Sequence, residues 1–178
     1  MDRSGPPTGP QGGASTAVVT ALAWLAAAAP DPEACRRDWE RSATGLLPLP
    51  AGRRWDVLLL PGLLGRPALR LLGRLGRPGP AFLEPGGGAP APDAERLDPS
   101  GDRLGFLVPV GTAARWVGTG VRGVGAGARV SLPHPVLRGP GPRWLVLPDG
   151  SGRLTDPVAL ELALHEAAAG LEGPGEHL

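Results

Sequence analysis

The sequence predicts an α+β fold: one domain in which a mixed or antiparallel sheet packs against N- and C-terminal helices. Three observations lead there. Strand-sized apolar runs such as Val57–Leu60 and Leu104–Val108 occupy the middle of the chain. Gly/Pro turns separate them, with only short helical stretches between. Longer segments with helix-start chemistry lie at the two ends, which makes the order helices, strands, helix.

Met1 to Gly13 has Gly, Pro and polar residues without periodicity, so residues 1–14 are expected to form a disordered tail. Ser15 or Thr16 is placed to cap a helix running to Ala29, where Pro30 stops it. Asp31-Pro32-Glu33 starts a second helix, with a carboxylate cap, proline in the first turn and an acid behind it. That helix carries Cys35 and Trp39 on one face and ends near Gly45. Leu46–Pro50 and Trp55–Leu60 read as strands joined by a turn at Ala51-Gly52. Beyond Asp56 the second is a continuous apolar run, as for a central strand covered on both faces. Pro67–Leu75 predicts a short helix with a stripe of Leu69, Leu72 and Leu75, followed by a strand over Pro80–Leu83.

Glu84 to Asp102, rich in Gly, Pro and acids, predicts a long mobile surface loop. Leu104–Val108 is a strand. Thr112 caps one helical turn carrying Trp116. Val121–Val124 and Arg129–Leu132 are short strands around a Gly-rich bend. Arg143–Leu147 is a strand before the Asp149-Gly150 turn. Thr155-Asp156-Pro157 opens a helix to about Ala168, with Gly170 past its end and a stripe of Leu160, Leu164, Ala167 and Leu171. The domain thus spans residues 15–170, and 171–178 fray.

Composition narrows the function classes. Glycine (29) and proline (23) exceed a quarter of the 178 residues, a share that often marks disorder. The hydrophobic fraction of 42% and the periodic apolar runs oppose that reading. Lys, Ile, Asn and Tyr are absent and all 18 basic residues are Arg, the imprint of a GC-rich coding genome. One cysteine and three scattered histidines build neither an intrachain disulfide nor a zinc site. A net charge of +1 gives no global pull on nucleic acid. No apolar run reaches the ~18–20 residues that span a bilayer. Ala17–Ala29 resembles a signal-peptide core, but no positive segment precedes it, so a buried helix and a cytoplasmic protein are expected.

The candidate sites are few. Gly118-Thr119-Gly120-Val121-Arg122-Gly123 matches GxGxxG, but no helix follows, and without Lys neither a Walker loop nor a kinase loop is complete. A strand–turn–strand is the simpler account. Arg66, Arg70, Arg74 and Arg77 share one helix face, Arg53 and Arg54 precede them, and Asp56 is the only acid in the segment. Such a face suits a phosphate backbone, and also suits plain solvation. His165-Glu166 lacks the second histidine of HExxH and reads as helix surface. His134 and Cys35 read as structural, Ser151 as a turn serine, and Asp149 and Asp156 as turn and cap residues.

Leu46 to Pro148 resembles the N-terminal domain of bifunctional DNA primase/polymerases, of the archaeo-eukaryotic primase superfamily. The likeness lies in segment order. Val57-Leu58-Leu59-Leu60-Pro61 leads through Gly65-Arg66 into a helix, and Leu104–Gly111 forms a strand ending in a Pro/Gly turn. Val121-Arg122-Gly123 through Pro133-His134 is similar to the family's paired strands, and Arg143-Trp144-Leu145 closes the set. The resemblance implies a primase/polymerase-like sheet. It puts the family's metal-binding Asp-x-Asp at Leu59 and Pro61, its histidine near Leu104 and its third acid at Gly120. None of these residues holds a divalent metal. The implied protein is a shortened, catalytically silent member with no catalytic or metal residue and no cofactor, Mg²⁺ or Mn²⁺ entering only if activity survives. Its implied contacts are Arg66, Arg70, Arg74, Arg77, Arg122 and Arg129, and its partner DNA or a nucleotide, with no membrane. A non-enzymatic protein-interaction module is the alternative. An active enzyme with relocated acids, Asp56 with Asp149, is the third reading.

Overall fold

The structure, a computed structural model, describes residues 12–76, 78–86, 101–118 and 120–172. In chain order the elements are α1 (Gly12–Ala26), α2 (Pro32–Arg41), β1 (Leu46–Pro50), β2 (Asp56–Pro61), α3 (Gly62–Arg74) and β3 (Ala81–Glu84). They continue with β4 (Arg103–Val108), α4 (Thr112–Arg115), β5 (Arg122–Val124), β6 (Arg129–Pro133), β7 (Arg143–Val146) and α5 (Pro157–Glu172). The architecture is mixed α+β. A five-stranded antiparallel sheet has the order β5-β2-β4-β3-β7, and β1 and β6 form a separate antiparallel pair.

The sheet is covered on both faces. Val57 and Leu59 of β2, Phe82 of β3 and Leu107 of β4 share a core with Leu25 and Ala26 of α1, Trp39 of α2 and the β1–β6 pair. Leu58 and Leu60, Leu104 and Phe106 pack on the opposite face against Ala68 and Leu72 of α3 and Leu160 and Leu164 of α5. The period-2 alternation of side chains therefore feeds two cores from one strand. Every residue from Asp56 to Leu60 is buried, as the unbroken apolar run predicts for a central strand.

Several starts and stops follow their sequence signals. The Asp31 carboxylate accepts hydrogen bonds from the Glu33 and Ala34 amides, and Asp156 accepts one from Ala159. Other boundaries move. Helix α1 begins at Gly12, so Ser15 and Thr16 lie inside it rather than capping it, and residues 1–11 of the expected 1–14 tail lie outside the described residues. Its C-terminal end is held from a distance: Arg53 donates to the Ala28 carbonyl and Arg54 to that of Ala27. Those two arginines thereby fasten the helix end.

Helix α3 starts at Gly62, ahead of the Pro67–Leu75 span, with Pro67 inside it. Its buried stripe is Gly62, Gly65, Ala68 and Leu72, while Leu75 is 57% exposed. Small side chains let this helix lie close to β4. Helix α5 runs through Gly170 to Glu172, and Leu171 is exposed. The strands β5 and β6 do not pair with each other: β5 joins β2 at the sheet edge and β6 joins β1. Most of the predicted 84–102 loop lies outside the described residues; its end at Asp102 is anchored, accepting from the Gly86 amide and the Arg66 guanidinium.

The sheet interior depends on one missing side chain. Phe82 and Gly105 are direct cross-strand partners, and a Cβ on Gly105 would sit 2.2 Å from the Phe82 ring. The ring fills that gap and meets Trp144 edge-on at 5.6 Å. Gly105→Ala is expected to destabilise the protein by at least about 1–3 kcal/mol through overpacking, read from the urea midpoint. Adding Phe82→Leu should recover part of that loss.

Candidate functional site

The residues that the primase resemblance aligns with metal ligands do not fit a metal. Leu59 and Leu104 are buried, in the two opposite cores. Pro61 ends β2, and Gly120 sits in a turn at φ 74°. Among the described residues no group of three or more His, Cys, Asp or Glu lies close enough to hold a metal ion. Asp56 and Asp149 do not replace them. Asp149 is an exposed turn residue whose carboxylate accepts from the Ser151 amide and hydroxyl, and these bonds lower its pKa.

Asp56 has a different task. It is 1% exposed, the only buried carboxylate among the described residues. Its Oδ2 accepts from the backbone amides of Gly111 at 2.8 Å and Ala113 at 3.0 Å. Gly111 takes a left-handed φ of 87°, which glycine adopts without a Cβ clash. The start of β2 thereby fixes the turn after β4 and the short helix α4. The sequence assigns the cap of that turn to Thr112; the structure assigns it to a carboxylate far away in the chain. Thr112 is instead buried at the first helical position.

The segment held by Asp56 forms one wall of a cavity of about 600 Å³. Arg115, Trp116, Val117 and Val121 make that wall. The start of α3, through Pro61, Leu63 and Leu64, makes the second, and Glu161, Leu164, His165 and Ala168 on α5 make the third. Most of the lining is apolar, with Arg115, Glu161 and His165 as its charged or titratable groups. Leu63, Val117 and Leu171 are exposed large apolar residues within the same lining.

A second polar group gathers where β2 ends, on the α1–α2 side of the sheet. Glu84 of β3 lies directly across from Arg103 of β4, which lies across from Pro61. Arg122 on β5 pairs with Leu59 and so faces the same side. Burial pushes the Glu84 carboxyl above the ordinary range, and Arg103 and Arg122 pull it back only in part.

The chain matches no family model, no curated protein and no solved structure.

The arginines singled out in the sequence are not brought together. Arg66, Arg70 and Arg74 are exposed on α3, and Arg66 is ion-paired with Asp102. Arg77 lies outside the described residues. Arg122 is on the edge strand β5, separated from Glu84 by β2 and β4, and Arg129 on β6 donates to the Pro48 carbonyl. The GxGxxG stretch, apart from Thr119, which is outside the described residues, is loop and edge strand with no helix after it. His134 is structural: its ring meets Trp39 edge-on at 5.7 Å, Nδ1 accepts from the Val136 amide, and burial lowers its pKa. Cys35 is buried with its thiol pKa raised by burial, a packed hydrophobe.

The cavity has no signature in the sequence as a whole. Glu161 and His165, one turn apart on α5, were the available signal, and Arg115-Trp116 stood alone. Their convergence depends on where α5 packs.

Two outcomes follow. Asp56→Ala leaves two backbone amides without their acceptor and should cost about 3 kcal/mol in denaturant unfolding; Asp56→Asn, which keeps a carbonyl acceptor, should cost less. Glu84 holds its proton more tightly in the folded than in the unfolded chain, so it reduces stability as pH rises from its ordinary 4.5 through the raised value. Glu84→Gln should therefore melt at a higher temperature than the parent at pH 7, with the gap closing below pH 4.5 in a thermal-melt series.

Proposed function

We propose that this chain is a primase/polymerase-like domain that binds nucleic acid through arginines and has lost metal-dependent nucleotidyl transfer. The observation that carries the reading is the outer face of α3. Arg70 and Arg74 stand exposed one turn apart, opposite the buried stripe of Gly62, Gly65, Ala68 and Leu72, with no carboxylate ion-paired to either among the described residues. Two guanidinium groups at that spacing meet successive backbone phosphates. The order of segments along the chain supports the primase-like part of the reading. Aliphatic or glycine residues at 59, 61, 104 and 120 support the loss of chemistry, because two divalent metals need carboxylates to hold them.

Fluorescence anisotropy with single-stranded and primed DNA tests this reading. Binding should weaken as salt rises, and Arg70→Ala with Arg74→Ala should lower the log–log salt slope by about 1 to 2. Salt-insensitive binding, or none at low ionic strength, refutes the proposal. In a template-dependent incorporation assay with Mn²⁺ no product is expected.

The alternative, a protein-interaction module, is favoured by a different surface. Val158 and Leu162, one turn apart on α5, are 65% and 64% exposed. A protein partner retained by the Arg70/Arg74 double variant and lost on Val158→Glu with Leu162→Glu would select it.

A further inference from the structure

The cavity between α3, α4 and α5 has no role in the nucleic-acid reading. We infer that it is a binding site for a small amphipathic monoanion: an apolar, ring-sized body carrying one acidic group. The volume, about 600 Å³, lies within the range of small-molecule pockets. Leu64, Trp116 and Leu164 give an apolar surround with an aromatic face, suited to a ring.

The polar groups set the ligand's charge. Arg115, in the last turn of α4, brings a permanent cation whose guanidinium forms no ion pair with any described carboxylate. It is the group for a carboxylate, sulfonate or phosphate monoester on the ligand. Glu161 and His165 come from the α5 wall, at i and i+4. Glu161 offers an acceptor to a ligand N–H and opposes a second negative charge, which favours one anionic group over two. The backbone that carries Arg115 is the one pinned by Asp56, and the exposed guanidinium lies against Gly111.

The wild-type chain is titrated with 1-anilinonaphthalene-8-sulfonate and with N-phenyl-1-naphthylamine, which share one ring body and differ in the sulfonate. Both should bind to the folded protein, the sulfonate more tightly. Arg115→Ala should weaken the sulfonate about tenfold, as for one charge-assisted hydrogen bond, and leave the neutral probe unchanged. Glu161→Gln should tighten the sulfonate about twofold by removing an opposing exposed charge. Ala168→Phe should fill the cavity and weaken both probes. Cooperative unfolding of each variant separates these effects from probe binding to loosened protein.

Location has its own readout. Trp24, Trp39, Trp55 and Trp144 belong to the core on the other face of the sheet, and Trp116 packs on the α3–α5 side. Energy transfer from tryptophan to bound probe should fall most in Trp116→Phe. Equal affinity for the two probes, an Arg115→Ala effect shared by both, or binding untouched by Ala168→Phe overturns the inference. Absence of DNA binding in the preceding experiment leaves it intact.

Discussion

The fold is organised around β2, a strand buried on both faces. Side chains from Asp56 to Leu60 are withdrawn from water, so each must be apolar or find hydrogen-bond donors within the protein. Val57 and Leu59 serve one core, Leu58 and Leu60 the other. The neighbouring strands follow suit. Gly105 yields its place on one face to the Phe82 ring, while Leu104 and Phe106 fill the other. The same packing leaves no room in the middle of the sheet for carboxylates, and polar groups collect at its ends and on the helices that cover it.

Asp56 illustrates how a charge enters such a core. It stands at the first position of β2, where the strand meets a turn, and two backbone amides satisfy one of its oxygens. A buried carboxylate without such donors would be strongly unfavourable. Its contribution is to fasten the chain after β4 so that Arg115 and Trp116 face the start of α3 and the body of α5. The cavity is thus a product of packing between elements distant in sequence, with one polar contact setting its wall.

The surface arginines divide into two groups by what they touch. Arg53, Arg54 and Arg129 donate to backbone carbonyls, and Arg66 pairs with Asp102; these are parts of the scaffold. Arg70 and Arg74 project from α3 into solvent. In a chain without lysine, arginine must serve both as structural donor and as surface charge, so a local run of arginine carries less meaning than its count suggests. The proposed nucleic-acid contact rests on the second group alone.

Part of this structure follows directly from local chemistry along the chain. The proline and carboxylate starts of α2 and α5, the full burial of β2, the strand positions and the α+β class follow from caps, turn residues and the period of apolar side chains. Where α1 and α3 begin is set by long-range packing, because glycine-rich starts carry no cap signal and contact with the sheet supplies the stabilisation that propensity lacks. Such packing likewise decides that the strands around the Gly-rich bend part to different partners, that a distant aspartate rather than Thr112 caps α4, and that Arg115, Glu161 and His165 share a cavity. Strand partners and cavity walls are relations between residues far apart in the chain, and no local pattern encodes them.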